Sequence, residues 1–86
     1  MNNKSSENNE RFLDITNYVC PMTFVRTKLL LEKMNSGEIA VVRLNDGEPL
    51  QNVPRSVREQ GHEIISLERE VKGDDKSPFL LRIRVR

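Results

Sequence analysis

Phe12-Leu13-Asp14-Ile15-Thr16-Asn17-Tyr18-Val19-Cys20-Pro21-Met22-Thr23-Phe24 changes its period in the middle, and that change decides the fold. Leu13 and Ile15 alternate with polar neighbours, the pattern of a short strand over residues 11–16. Asn17 tolerates positive φ better than most residues and suits the turn out of that strand. Proline is favoured at the first helical position, where its missing N–H would be unpaired in any case. Cys20-Pro21 therefore predicts a helix start, with Pro21 in the first turn and Cys20 at or next to the N-cap. The helix runs to about Asn35, and Gly37 serves as its C-terminal cap. Phe24, Thr27, Leu31 and Met34 recur at three- and four-residue spacing, with Leu30 beside them, and form the buried stripe. Arg26, Lys28, Glu32 and Lys33 fall largely outside it.

Residues 38–45 (Glu-Ile-Ala-Val-Val-Arg-Leu-Asn) are β-branched and apolar, and read as a well-buried strand. Asp46-Gly47-Glu48-Pro49 is a turn with too few ligands for a metal loop. Leu50, Val53 and Val57 then fall at helical spacing, closed by Gly61. Pro54 inside that pattern either kinks the helix or marks the first turn of its regular part. Residues 62–71 read as a strand with Ile65 and Leu67 on one face, residues 72–78 as a hairpin loop. In the last strand, residues 79–86, Leu81, Ile83 and Val85 point inward and Arg82, Arg84 and Arg86 outward. The order is β-α-β-α-β-β. Right-handed crossovers put both helices on one face of a four-stranded mixed sheet, giving an α+β two-layer sandwich. The arginine comb belongs on the other, solvent-facing side, where Glu63, Glu68 and Glu70 are available as cross-strand partners.

The 86 residues suit one domain, residues 11–86, after a polar tail over residues 1–10 that reads as disordered. A chain this short holds two layers of secondary structure but no large enclosed active site. A net charge of +1 is far from the basic excess of a nucleic-acid binder. No apolar run approaches the ~20 residues of a membrane span, and residues 1–10 lack the apolar core of a signal peptide. The single cysteine argues against a secreted disulfide framework, so a cytoplasmic location is expected. One cysteine and one histidine do not make a zinc site, and neither a metal nor a cofactor is expected.

Several segments together resemble the TusA family of small sulfur carriers, which includes the SirA-like proteins. They are Leu13-Asp14, Cys20-Pro21-Met22, Gly37-Glu38, Val53-Pro54-Arg55 and Gly61-His62-Glu63, in this order and over nearly all of residues 12–86. The resemblance implies a sandwich like the C-terminal domain of bacterial translation initiation factor three. It also implies a sulfur relay. Cys20 would take sulfane sulfur from a donor protein, a cysteine desulfurase or a rhodanese-like protein, and pass the persulfide to an acceptor protein. The family motif is usually Cys-Pro-x-Pro, and this chain has Thr23 at the second proline. It also has Asn17 where the family often has glycine.

The chemistry suits those residues. A thiolate, not a thiol, attacks sulfane sulfur, and a helix N-terminus stabilises an anion by about 0.3–1 kcal/mol when exposed. Pro21 fixes where the helix starts and so where the sulfur points. The Thr23 hydroxyl can accept from the Cys20 backbone N–H, as a residue three beyond a cap does, or donate to the sulfur. Arg26 and Lys28, one to two turns along, are candidates for docking an acidic partner surface, and Met22 for an apolar rim. No second thiol and no acid–base pair stand near Cys20 in sequence, so the reading is a carrier that works with partners rather than a self-contained enzyme; a monomer is expected. Against it stand two other readings: a non-catalytic regulatory or interaction module in which Cys20 is a vestige and the sheet face binds a partner, and an RNA-binding domain suggested by the fold analogy and the arginine comb. His62, at a strand start far along the chain, reads as structural.

Overall fold

The computed structural model describes residues 10–86. Its elements are β1 (Glu10–Asp14), α1 (Met22–Lys33), β2 (Ile39–Leu44), α2 (Glu48–Glu59), β3 (Glu63–Arg69) and β4 (Phe79–Arg84). The sheet order is β1-β2-β4-β3, with β1 and β2 parallel and β4 antiparallel to both of its neighbours. This is the β-α-β-α-β-β sandwich that the sequence pattern predicts. Residues 1–9 of the expected tail lie outside the described residues, whereas Glu10 opens β1 opposite Ile39.

One core joins the layers. Ala40, Val42 and Leu44 of β2 cluster with Leu81 and Ile83 of β4 and Val85 just after it, with Leu31 of α1 and its C-cap Met34, and with Val53 and Val57 of α2. Helix residues and inward sheet residues thus bury in a single cluster, which places both helices on the same side of the sheet. No helix among the described residues is long and apolar enough to cross a membrane.

Three local expectations change. The buried stripe of α1 is Thr23, Thr27 and Leu31, and Phe24 is only partly covered. Threonine can sit there because the Thr27 hydroxyl donates to the Thr23 carbonyl at 2.9 Å, so its polar atom is satisfied inside the layer. On β3 the pairing shifts between Ile64 and Ser66, so Ile64 lies opposite Ile83 and Leu67 opposite Leu81. The irregularity breaks the two-residue alternation, and Ile65 and Leu67 are left 39% and 38% exposed. Helix α2 begins before Leu50: Gly47 caps it at φ 95°, Pro49 lies in its first turn, and the helix runs on through a buried Pro54.

On the open face the arginines are paired. Arg43 reaches Asp14 at 3.0 Å and Glu70 at 3.1 Å, Arg82 reaches Glu10 at 2.9 Å, and Arg86 reaches Glu63 at 3.3 Å. Such exposed pairs each contribute little, about 0–1 kcal/mol. Asp14 is the exception in kind. The Thr16 hydroxyl and then its backbone N–H hold the carboxyl below its ordinary range, with Arg43 adding to them. A carboxyl lowered in the folded state contributes stability above its unfolded pKa and loses it as pH falls through the folded value. Asp14→Asn should therefore flatten the acid limb of a stability–pH curve, below the ordinary carboxylate range, and leave its slope at neutral pH alone. Chemical denaturation across that range checks this.

Candidate functional site

The chain leaves β1 and turns twice before α1. Asp14 Oδ1 accepts from the backbone N–H of Thr16 at 2.9 Å and from its hydroxyl at 2.7 Å. Tyr18 N–H then closes a turn on the Ile15 carbonyl at 3.1 Å, and Met22 N–H closes the next on Val19 at 2.8 Å. Asn17 sits inside the first turn, but among the described residues only glycines take positive φ. The loop is held from two sides. Ile15 is buried in the core, and Asn45 Nδ2 donates to the Thr16 carbonyl at 2.9 Å from the end of β2. Tyr18 packs against the core, with the Arg26 guanidinium 4.7 Å over its ring.

Pro21 is the N-cap of α1, with φ −91° and ψ 3°, rather than its first helical residue, and the Cys20–Pro21 peptide is cis. Cys20 therefore stands one residue before the cap, half-buried. Thr23 falls in the first turn, fully buried, with Oγ1 3.3 Å from the Cys20 Sγ. The hydroxyl thus lies against the sulfur, with either atom able to donate. From α2, Asn52 Nδ2 points at the same sulfur at 3.7 Å, and Arg55 Nη2 donates to Asn52 Oδ1 at 2.8 Å.

In front of the sulfur lies an open groove of about 320 Å³, walled by Asn17, Tyr18, Val19, Asp46 and Pro49. Beside it, Asn52 and Arg55 line a smaller groove of about 220 Å³ with Phe24, Ser56 and Glu59. Val19, a residue of that groove's wall, is 77% exposed, and Met22, two residues beyond Cys20, is 41% exposed. Lys28 lies elsewhere. It lines a groove with Leu31, Met34, His62, Val85 and Arg86 that shares no residue with the one at Cys20. His62 is occupied there, its Nδ1 accepting from Arg86 N–H at 3.0 Å.

The arrangement offers an accessible sulfur with polar groups behind it and open space before it. Its contacts are a hydroxyl and an amide, which orient and solvate an anion but move no proton at neutral pH. Among the described residues no three His, Cys, Asp or Glu side chains group to hold a metal ion. Sequence reasoning picked out Cys20, Pro21 and Thr23 but missed Asn52. Its signal was faint: Asn52 and Arg55 are three apart on α2, hence on one face, beside the Val53-Pro54-Arg55 segment. Only the packing of α2 on α1 turns that face toward the cysteine.

The family model described as sulfurtransferase TusA matches residues 11–83. A protein of Archaeoglobus fulgidus is 51% identical over 57 residues, 66% of this chain and 65% of that relative. One of Thermotoga maritima is 36% identical over 56 residues, 65% of this chain and 71% of that relative. Both are described as a "putative sulfur carrier protein". The chain thus spans just under two thirds of the length of the Archaeoglobus relative.

Proposed function

The chain belongs to the TusA sulfurtransferase family, and from that premise we propose that it holds sulfane sulfur as a persulfide on Cys20 and relays it to a partner protein. The observation that carries this reading is the half-buried sulfur of the chain's one cysteine. It is backed by Thr23 and Asn52 and opens onto a groove whose wall includes the exposed Val19.

In the loading step the Cys20 thiolate attacks the outer sulfur of a donor persulfide, R–S–SH. A Sγ–S bond forms, the donor S–S bond breaks, and R–S⁻ leaves, so charge and protons balance and the sulfane sulfur keeps its oxidation state. Discharge is the same exchange in reverse sense: an acceptor thiolate takes the terminal sulfur and Cys20 departs as thiolate. Both steps need a second thiol, which this chain lacks, so donor and acceptor are separate proteins, the donor being of the cysteine desulfurase or rhodanese-like kind. Pro21 fixes the approach of the chain to α1, and Thr23 supplies a hydrogen bond where the family has a second proline. Met22 and Arg26, the latter stacked over Tyr18 of the groove wall, serve as docking groups, with Lys28 further along the same helix. The carrier acts as a cytoplasmic monomer. RNA binding is the weaker reading, because Arg43, Arg82 and Arg86 spend their charge on acidic neighbours of the same sheet.

Incubated with a sulfane-sulfur donor, the protein is expected to gain the mass of one sulfur and to lose it again to an acceptor thiol. Thr23→Val should slow loading. Arg26→Glu with Lys28→Glu should slow transfer from a protein donor but not from a small one. No mass gain from any sulfane donor would sink the proposal.

A further inference from the structure

We propose that Asn52, held by Arg55, is a positioning residue for the sulfur of Cys20: it presents an amide donor to that sulfur and favours its anionic form, bare or as persulfide. This deepens the carrier reading and rests on it for the persulfide.

The argument turns on which way the Asn52 amide faces. Arginine has five N–H donors and no acceptor. Arg55 Nη2 at 2.8 Å therefore demands the amide oxygen, and the NH₂ must turn the other way, toward Cys20 Sγ at 3.7 Å. An amide NH₂ can only donate, so the sulfur is the acceptor in that contact. A thiolate or a persulfide anion accepts far better than a thiol, since hydrogen bonds to charged partners are roughly twice as strong as neutral ones. The guanidinium also pulls electron density from the amide oxygen and strengthens the N–H donors on its far side. Thr23 does not duplicate this. Its hydroxyl, 3.3 Å from Sγ, can donate to an anionic sulfur but can equally accept from a thiol, so it serves both forms. Two helices thus contribute one partner each, and only the partner on α2 has its sense fixed by a cation.

The full chain and four variants test it: Asn52→Leu, Asn52→Asp, Arg55→Leu and Arg55→Lys. The readouts are the rate of Cys20 alkylation by iodoacetamide at neutral pH and the ultraviolet absorbance of the thiolate. Removing the donor in Asn52→Leu should slow alkylation by about three- to tenfold. Asn52→Asp keeps the bond to Arg55 but turns an acceptor toward the sulfur, and should be slower still. Arg55→Leu should show part of the loss, and Arg55→Lys, which retains a donor, should recover much of it. Thiolate absorbance should fall in the same order, which a merely structural role for Asn52 would not produce. If Asn52→Leu and Asn52→Asp both alkylate at the parent rate with unchanged absorbance, the proposal is overturned. If Arg55→Lys is as slow as Arg55→Leu, the part assigned to Arg55 is overturned. Sulfur uptake by the unmodified protein, followed by intact mass, judges the carrier reading separately, because the alkylation rates judge Asn52 whether or not a persulfide forms.

Discussion

Cys20→Ser is expected to take up no sulfur from any sulfane donor while the fold stays intact. The chain has one cysteine, so no second thiol can substitute. The serine hydroxyl is close in size and keeps hydrogen-bonding capacity toward Thr23 and Asn52, the two partners of the sulfur. A half-buried change of this kind should cost no more than about 1 kcal/mol. What it removes is nucleophilicity: a hydroxyl is not ionised at neutral pH and has no activating base in contact here. Mass spectrometry of the two proteins after identical donor treatment reads the difference as one sulfur against none. Equal uptake by Cys20→Ser would mean that sulfur attaches elsewhere, and Cys20 would lose its role. The variant also separates chemistry from docking. A partner that recognises the exposed Val19 and Met22 should still bind it, and should then be blocked rather than served.

How far the sequence carried this site depends on the range of each interaction. Pro21 and the change of period around it are local, so the helix start and the place of Cys20 could be read to within one residue. The strict alternation of Leu81, Ile83 and Val85 is also local, and all three are buried. The cap shifted by one residue because Val19 and Met22 close a turn across the Cys20–Pro21 pair, which propensities alone do not encode. The irregularity on β3 is not legible for a similar reason: the shift in pairing between Ile64 and Ser66 is a feature of the β3–β4 ladder, not of the β3 sequence alone. Thr23 is not among the residues of the predicted buried stripe, and its burial becomes legible only with the Thr27 hydroxyl donating to its carbonyl. Asn52 lies furthest from inference, because it meets Cys20 across 32 residues and through the packing of two helices.

Leu81→Ala is expected to destabilise the protein by about 3 kcal/mol, within the roughly 2–5 kcal/mol typical of such truncations in a core. Leu81 lies on β4, which has a hydrogen-bonded neighbour on either side, and its side chain is fully buried. It faces Val42 on β2 and Leu67 on β3, so the cavity opens where three strands meet. A rigid sheet floor collapses poorly around such a hole, which keeps the cost from falling to the transfer term alone. For a domain of this size each kcal/mol moves the melting temperature by about 4–8 °C, so a fall of roughly 12–24 °C is expected by calorimetry. Phe12→Ala gives the contrast. Phe12 is the larger side chain, but it lies on the open face and is 63% exposed, so its loss should cost well under half as much. The comparison is informative because it runs against residue size: an equal cost for both would mean that the open face is covered in solution, and that the two-layer sandwich has a third layer supplied from outside these residues. At a temperature where Leu81→Ala is still folded, its uptake of sulfur should match the parent's, since the turns that hold Cys20 are anchored through Ile15, Asp14 and Asn45 rather than through β4.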